Sequence, residues 1–243
     1  MKTVLTPIFS LLVLFSLVAC GSGNSTETVS NSENSLPSTA PARAESSESN
    51  GEQQLDSGNG KTLIAYFSRV GTSSLGEGVD AVTSASLRIG DEGWIGNTEV
   101  VVDMVQNVVD GDEFQIITLE PYPGDYEETT DLALEEQKAG VRPELATHVE
   151  NMDEYDVIFL GYPNWWGTIP MPVYTFLEEY DFSGKTIIPF ITRDGSRLGR
   201  SVNDIRELAP GATILEGLAV HGNRVEDAKD EVGEWLQEMG YSN

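Results

Sequence analysis

Thr62 to Phe67 is a short, nearly continuous run of apolar and β-prone residues that stops at a polar turn, Ser68-Arg69. A run of this kind suits a strand buried on both faces of a parallel sheet. Further on, Thr98 to Val109 carries Val101, Met104, Val105 and Val108 at the spacing of one helical face, which predicts a helix with Asn97 or Thr98 as its N-cap. A strand, a polar turn and a helix start together make an anion site, because the first N–H groups of a helix are unpaired and its dipole is positive there. The two polar pieces, Ser68-Arg69 and Gly96-Asn97-Thr98, are parted by Val70 to Ile95. The segment from Gly71 to Ile95 is long for a βα loop, and loops of that length are usually functional or disordered.

The same kind of unit then recurs. Glu113 to Thr118, Val157 to Gly161 and Thr186 to Thr192 read as strands, and Ala212 to Leu215 starts a fifth that continues through Leu218 to Val220. Tyr126 to Ala139, Pro172 to Tyr180, Val202 to Leu208 and Arg224 to Met239 read as the alternating helices, with Gly140 and Gly240 as stop signals. Pro189 is an objection to a central place for the fourth strand. Five strands alternating with five helices predict an α/β fold with a doubly wound five-stranded parallel sheet and right-handed crossovers. On such a sheet ligands bind at the carboxyl ends of the strands.

The first twenty residues stand apart from this pattern. Val4 to Val18 is largely apolar, and Leu17-Val18-Ala19-Cys20 closes it. The run is shorter than the roughly 20 residues of a spanning helix and resembles a bacterial lipoprotein signal, in which Cys20 is lipidated and becomes the new N-terminus. Cys20 is the only cysteine, so no disulfide and no cysteine-ligated metal site is expected. Residues 21–60 are rich in Ser, Asn and Glu with few large apolar side chains, which predicts a disordered tether. Residues 61–243 form one domain. The chain has 40 acidic and 14 basic residues and a net charge of −26. That excess excludes nucleic acid as a partner, since phosphate backbones need a basic stripe.

Three loops at the carboxyl ends of strands have unusual compositions. The first supplies Ser68, Arg69, Gly96, Asn97 and Thr98, which suit either a phosphate or a plain N-cap turn. The next supplies Pro163, Asn164, Trp165, Trp166 and Gly167. Here one indole could carry a flat ligand while the other packs under the loop. The last supplies Thr192, Arg193, Asp194, Gly195 and Ser196, with Arg197 and Arg200 nearby. His148 and His221 are isolated, so no metal site is expected. The acidic face of Tyr126 to Ala139 reads as solvated.

Several of these pieces together resemble the flavodoxin-like proteins of bacteria. They are Tyr66-Phe67-Ser68-Arg69, Gly96-Asn97-Thr98, Glu120-Pro121-Tyr122-Pro123, Gly161-Tyr162-Pro163 with Trp165-Trp166-Gly167, Pro170-Met171-Pro172, Ser183-Gly184-Lys185-Thr186 and Leu215-Glu216-Gly217-Leu218. The resemblance spans Lys61 to Met239. It implies strand order 2-1-3-4-5, FMN as cofactor, a phosphate loop at Ser68 and Gly96 to Thr98, and flavin-ring contacts from Pro163 to Gly167 and Thr192 to Ser196. In the usual pattern the Ser-Arg and Gly-Asn-Thr pieces are close together, and a histidine often stands where this chain has Arg193. Three functions follow from these readings. One is an electron carrier tethered outside the membrane, with a redox protein or a small acceptor such as a quinone as partner. Another is an NAD(P)H-dependent quinone or flavin reductase. The third is a non-redox binding module at the cell surface.

Overall fold

The structure is a computed structural model that describes residues 60–73, 75, 85–90 and 93–242. The signal segment, Cys20, the tether and most of Gly71 to Ala85 lie outside the described residues. Strand β1 (Lys61–Phe67) is an inner strand of the sheet. It pairs in parallel with β4 (Asp112–Ile116) on one side and with β5 (Tyr155–Pro163) on the other. Beyond β5 lies β6 (Thr186–Arg193), whose outer edge holds two short strands, β7 (Thr213–Ile214) and β8 (Leu218–His221). The order β4-β1-β5-β6-β7/β8 is parallel throughout. In order of occurrence, leaving out the inserted hairpin, it is 2-1-3-4-5, with the fifth strand in two pieces.

Alternation along the strands supplies one core on each side. Leu63, Ala65 and Phe67 of β1 join Ile158, Leu160, Val173, Phe176 and Ile205 on one face. There the sheet is covered by α3 (Met171–Glu179) and α4 (Ser201–Leu208), with α2 (Tyr126–Ala139) beside α3. Ile64 and Tyr66 join Val101, Val105, Phe159, Val232 and Leu236 on the other, under α1 (Asn97–Gln106) and α5 (Lys229–Glu238). Each such side chain taken from water contributes roughly 1.5–3 kcal/mol, before ordering entropy is counted.

Four features differ from those read in the sequence. The N-cap of α1 is Gly96, because Glu99 reaches back to the Gly96 N–H at 3.0 Å and fixes the first turn there. The segment before α1 contains an antiparallel hairpin of β2 (Leu87–Gly90) and β3 (Gly93–Gly96). The closing helix breaks at Ala228, between a 3₁₀ turn at Gly222–Asp227 and α5. Pro189 does occupy a central strand. It faces Leu160 of β5, while on the outer edge β7 ends opposite Ile187 and β8 begins opposite Phe190. The missing N–H therefore falls where the neighbouring strand is interrupted. Gly217 lies in that gap, where a Cβ would come within 2.8 Å of the Pro189 carbonyl oxygen.

Candidate functional site

The carboxyl ends of β1, β5 and β6 open onto a cavity of about 850 Å³, inside the range of roughly 300–1,000 Å³ common for small-molecule sites. The β5 loop contributes Asn164, Trp165, Trp166 and Gly167, and the β6 loop Asp194, Gly195 and Ser196. Arg69 follows β1, and Ala85 and Ser86 precede β2. The remaining wall is the first half of α2, with Tyr126, Thr129, Thr130 and Ala133.

The two tryptophans are separated by a tight turn. Trp165 and Thr168 exchange backbone hydrogen bonds at 3.1 Å in each direction, with Trp166 and Gly167 between them at φ 51° and 81°. Glycine accepts such a conformation freely; for a bulky residue it is strained. The turn sends the indoles to different places. Trp165 packs edge-to-face on Phe67 and Tyr122, with centroids 5.3 and 5.1 Å away, and its Nε1–H donates to Ser86 Oγ at 3.0 Å. Trp166 stays 50% exposed beside the cavity and donates from Nε1 to the Thr130 carbonyl at 2.9 Å.

Asn164 ties the loops together. Its Oδ1 accepts from the Gly167 N–H at 2.9 Å, its Nδ2 donates to the Arg197 carbonyl at 3.1 Å, and its N–H donates to the Thr192 carbonyl at 2.8 Å. Gly199 sits so close that a Cβ there would come within 2.2 Å of the Gly167 oxygen. The β6 loop opens differently from its sequence reading. Arg193 turns back along the sheet edge to the carbonyls of Ala219 and Asp194 and is not part of the cavity wall.

Residues 93–239 match the flavodoxin family model. The chain belongs to the flavodoxin family. Among solved structures it is similar to a chain from Bacteroides eggerthii assigned as a flavoprotein, at 26% identity over 76% of this chain and 100% of that one, with a TM-score of 0.55. A second, from Bacteroides uniformis and assigned likewise, is 27% identical over 74% and 99%, also at 0.55. A flavoprotein in complex with FMN from Lactobacillus acidophilus is 21% identical over 70% and 98%, with a TM-score of 0.48. No curated protein matches the chain.

In this chain the polar cradle between β1 and α1 is partly filled from within. Ser68, Asn97 and Thr98 are each only 1% exposed. The Gly96 N–H is taken by the Glu99 carboxylate, and the Asn97 N–H donates to the Ser86 carbonyl at 2.9 Å, extending the hairpin ladder by one bond. The hydroxyls of Thr98 and Thr192 bond each other at 3.0 Å, and Ser68 Oγ accepts from the Val70 N–H at 3.2 Å. A Cβ on Gly96 would fall 2.1 Å from Ser68 Oγ, so the hydroxyl already lies against the glycine. Glu99 itself brings a carboxyl group to this helix start. Burial, then repulsion from Asp103 and Glu113, holds its carboxyl above the usual carboxylate range despite the Gly96 N–H. The cavity walls suit a flat ligand, and the cradle at the start of α1 keeps the Ser68 hydroxyl, as an acceptor from Val70, beside Asn97 and Thr98.

Of the residues singled out in the sequence, the fold gathers Arg69, Asn164, Trp165, Trp166, Gly167, Asp194, Gly195 and Ser196 around one cavity. Ser68, Gly96, Asn97, Thr98, Pro163, Thr192 and Arg193 are not among its walls. Sequence reasoning missed Ala85, Ser86, Tyr126, Thr129, Thr130 and Ala133. The α2 residues were legible only as an acidic helix face, although Pro123-Gly124-Asp125 marks a turn that feeds a helix start, with Asp125 accepting from the Glu128 N–H at 3.0 Å.

Proposed function

We propose that this protein binds FMN non-covalently at the carboxyl edge of its sheet and carries electrons from outside the membrane, held there by a lipid on Cys20. The observation that supports it most is the cavity itself, where a half-exposed indole, Trp166, faces the Asp194–Ser196 loop in a chain of this family. Asn164 and Gly167 give that slot a fixed shape, and Trp165, in its wall, is held edge-to-face on Phe67 and Tyr122. Bound flavin supplies the reversible redox chemistry; the chain supplies binding, orientation and electrostatics. The cavity also runs along α2 past Tyr126, Thr129 and Ala133. That extension favours, as a second reading, a reductase with room for a small acceptor such as a quinone.

The test is a titration of the purified full chain with FMN and with riboflavin, read by quenching of tryptophan and flavin fluorescence. Saturable binding of at least one flavin near 1 μM, about −8 kcal/mol, is the expected result. No saturation by either flavin up to about 100 μM, roughly −5.5 kcal/mol, overturns the reading. NADPH oxidation by the loaded protein with a quinone present selects the reductase over the carrier.

A further inference from the structure

Asp204 gathers donors from three elements onto one carboxylate oxygen. Its side chain is 15% exposed, and its Oδ2 accepts from the hydroxyls of Thr168 and Tyr174 and, at 3.1 Å, from Arg200 Nε. Thr168 is fully buried and follows Gly167 in the turn that carries Trp166, Tyr174 belongs to α3, and Arg200 immediately precedes α4. Burial, then the bond to Asp204, holds the Tyr174 hydroxyl above its ordinary range, so it remains a donor to the carboxylate. A carboxylate so far from water is costly unless it is well bonded, and bonds to a charged acceptor are the stronger ones. An acidic residue in the first turn of α4 would favour that helix from its solvent face too, so the helix dipole does not account for a carboxylate turned inward.

We infer that Asp204 is a positioning residue for the cavity: through Thr168 it clamps the turn at Trp166 and Gly167 to α4, and so holds the Trp166 indole where a flat ligand meets it. Asp204 is not itself among the cavity walls, so it acts on the ligand only through that turn. The turn needs such a hold, because the backbone of Trp166 stands at φ 51°, a conformation that persists only where its surroundings impose it. On one side Asn164 Oδ1 accepts from the Gly167 N–H, and on the other the Arg200 N–H donates to the Gly167 carbonyl at 2.9 Å. Asp204 closes that second side twice. With the Arg200 side chain it steadies the start of α4, and with Thr168 it fixes the residue that ends the turn. The flavin reading above supplies the identity of the ligand, but the clamp does not depend on it.

The test follows the Trp166 indole N–H, bonded to the Thr130 carbonyl, by hydrogen exchange in the full chain without ligand. Thr168→Val should speed its exchange about fivefold, the loss of one hydrogen bond, and Thr168→Ser should leave it within about twofold. The Trp235 indole N–H, bonded to the Glu216 carbonyl, should keep its wild-type rate in both. Asp204→Ala should match or exceed Thr168→Val, and the double variant should be no worse than Asp204→Ala alone, since the two groups act as one contact. FMN and riboflavin should each bind about threefold more weakly to Thr168→Val. Wild-type exchange at Trp166 in Thr168→Val, additive effects in the double variant, or unchanged affinity for both flavins overturns the assignment. If Trp235 moves as well, the variant has lost its fold and the wild type decides. There the protection of the Gly167 and Arg200 amides should agree within about threefold, as in one opening unit, and a wider gap overturns the clamp. If wild type binds neither flavin while Thr168→Val still frees Trp166, the flavin reading fails and the clamp stands.

Discussion

The indole Nε1–H of Trp165 donates to Ser86 Oγ at 3.0 Å, and the backbone carbonyl of that same serine accepts from the Asn97 N–H. One residue of the inserted segment thus joins the β5 loop to the first turn of α1. Ser86→Ala removes the side-chain half of that link, worth about 1 kcal/mol. The amides of Leu87 to Gly96 should then exchange faster with solvent by roughly fivefold, while those of β1 and β5 keep their protection. Unchanged exchange in the hairpin would mean that the ladder holds without Trp165.

Trp166 should separate binding from stability. Its indole is half exposed and held by one bond to Thr130, so Trp166→Ala should cost little in urea unfolding, less than about 1 kcal/mol. Removing a stacking face should weaken flavin binding by about 1 kcal/mol, close to fivefold. The φ 51° backbone is not relieved in this variant, because alanine keeps the Cβ that strains it. Flavin affinity equal to wild type would remove Trp166 from the site.

Gly161 is a packing requirement within β5. A Cβ there would meet the Phe190 ring at 2.3 and 2.4 Å and Thr98 Cγ2 at 3.1 Å. Both neighbours are held inside the core, so Gly161→Ala should destabilise by about 2 kcal/mol or more. The check is the urea midpoint at constant slope.

Glu99 sets a pH dependence with a definite sign. Its carboxyl is raised above its ordinary 4.5, first by burial and then by Asp103 and Glu113. The folded state therefore holds the proton more tightly than the unfolded chain. Stability that this group contributes below pH 4.5 is lost as pH rises through its raised folded value. Glu99→Gln should be more stable than wild type at pH 7, and the gap should close as pH falls toward 4. A gap that does not vary with pH would exclude this titration as its source.

The lipid proposed on Cys20 is tested by localisation. Cys20→Ala should move the chain from the membrane fraction to the soluble fraction, with no change in flavin affinity. Retention of the variant on membranes would assign the attachment to another segment.

The parallel sheet was legible because its central strands are nearly unbroken apolar runs. Leu63 to Phe67 and Ile158 to Leu160 have no polar residue to turn outward, which requires helices on both faces. The hairpin was hidden because β2 and β3 are four residues each, with Ile89 exposed and Leu87 the one large side chain fully buried, so neither forms a periodic signal long enough to stand out. The closing helix looked continuous since Val225, Ala228 and Val232 keep helical spacing across a break that no residue type announces.

The order of apolar and polar residues along the chain was enough to determine the doubly wound sheet, its helices and the edge at which three loops converge, because burial acts on each element through its own periodicity. Which loop atoms were left free was decided only by the tertiary structure. Ser86 and Asn97 are eleven positions apart and Arg69 and Thr129 sixty, and local spacing carries no information about such pairings. A hydrogen bond used inside the protein is no longer open to a ligand. For that reason part of the cradle read from sequence is taken up within the protein, and the bonds that carry Arg69 across to Pro123, Gly124 and Thr129 appear only once the chain has folded around it.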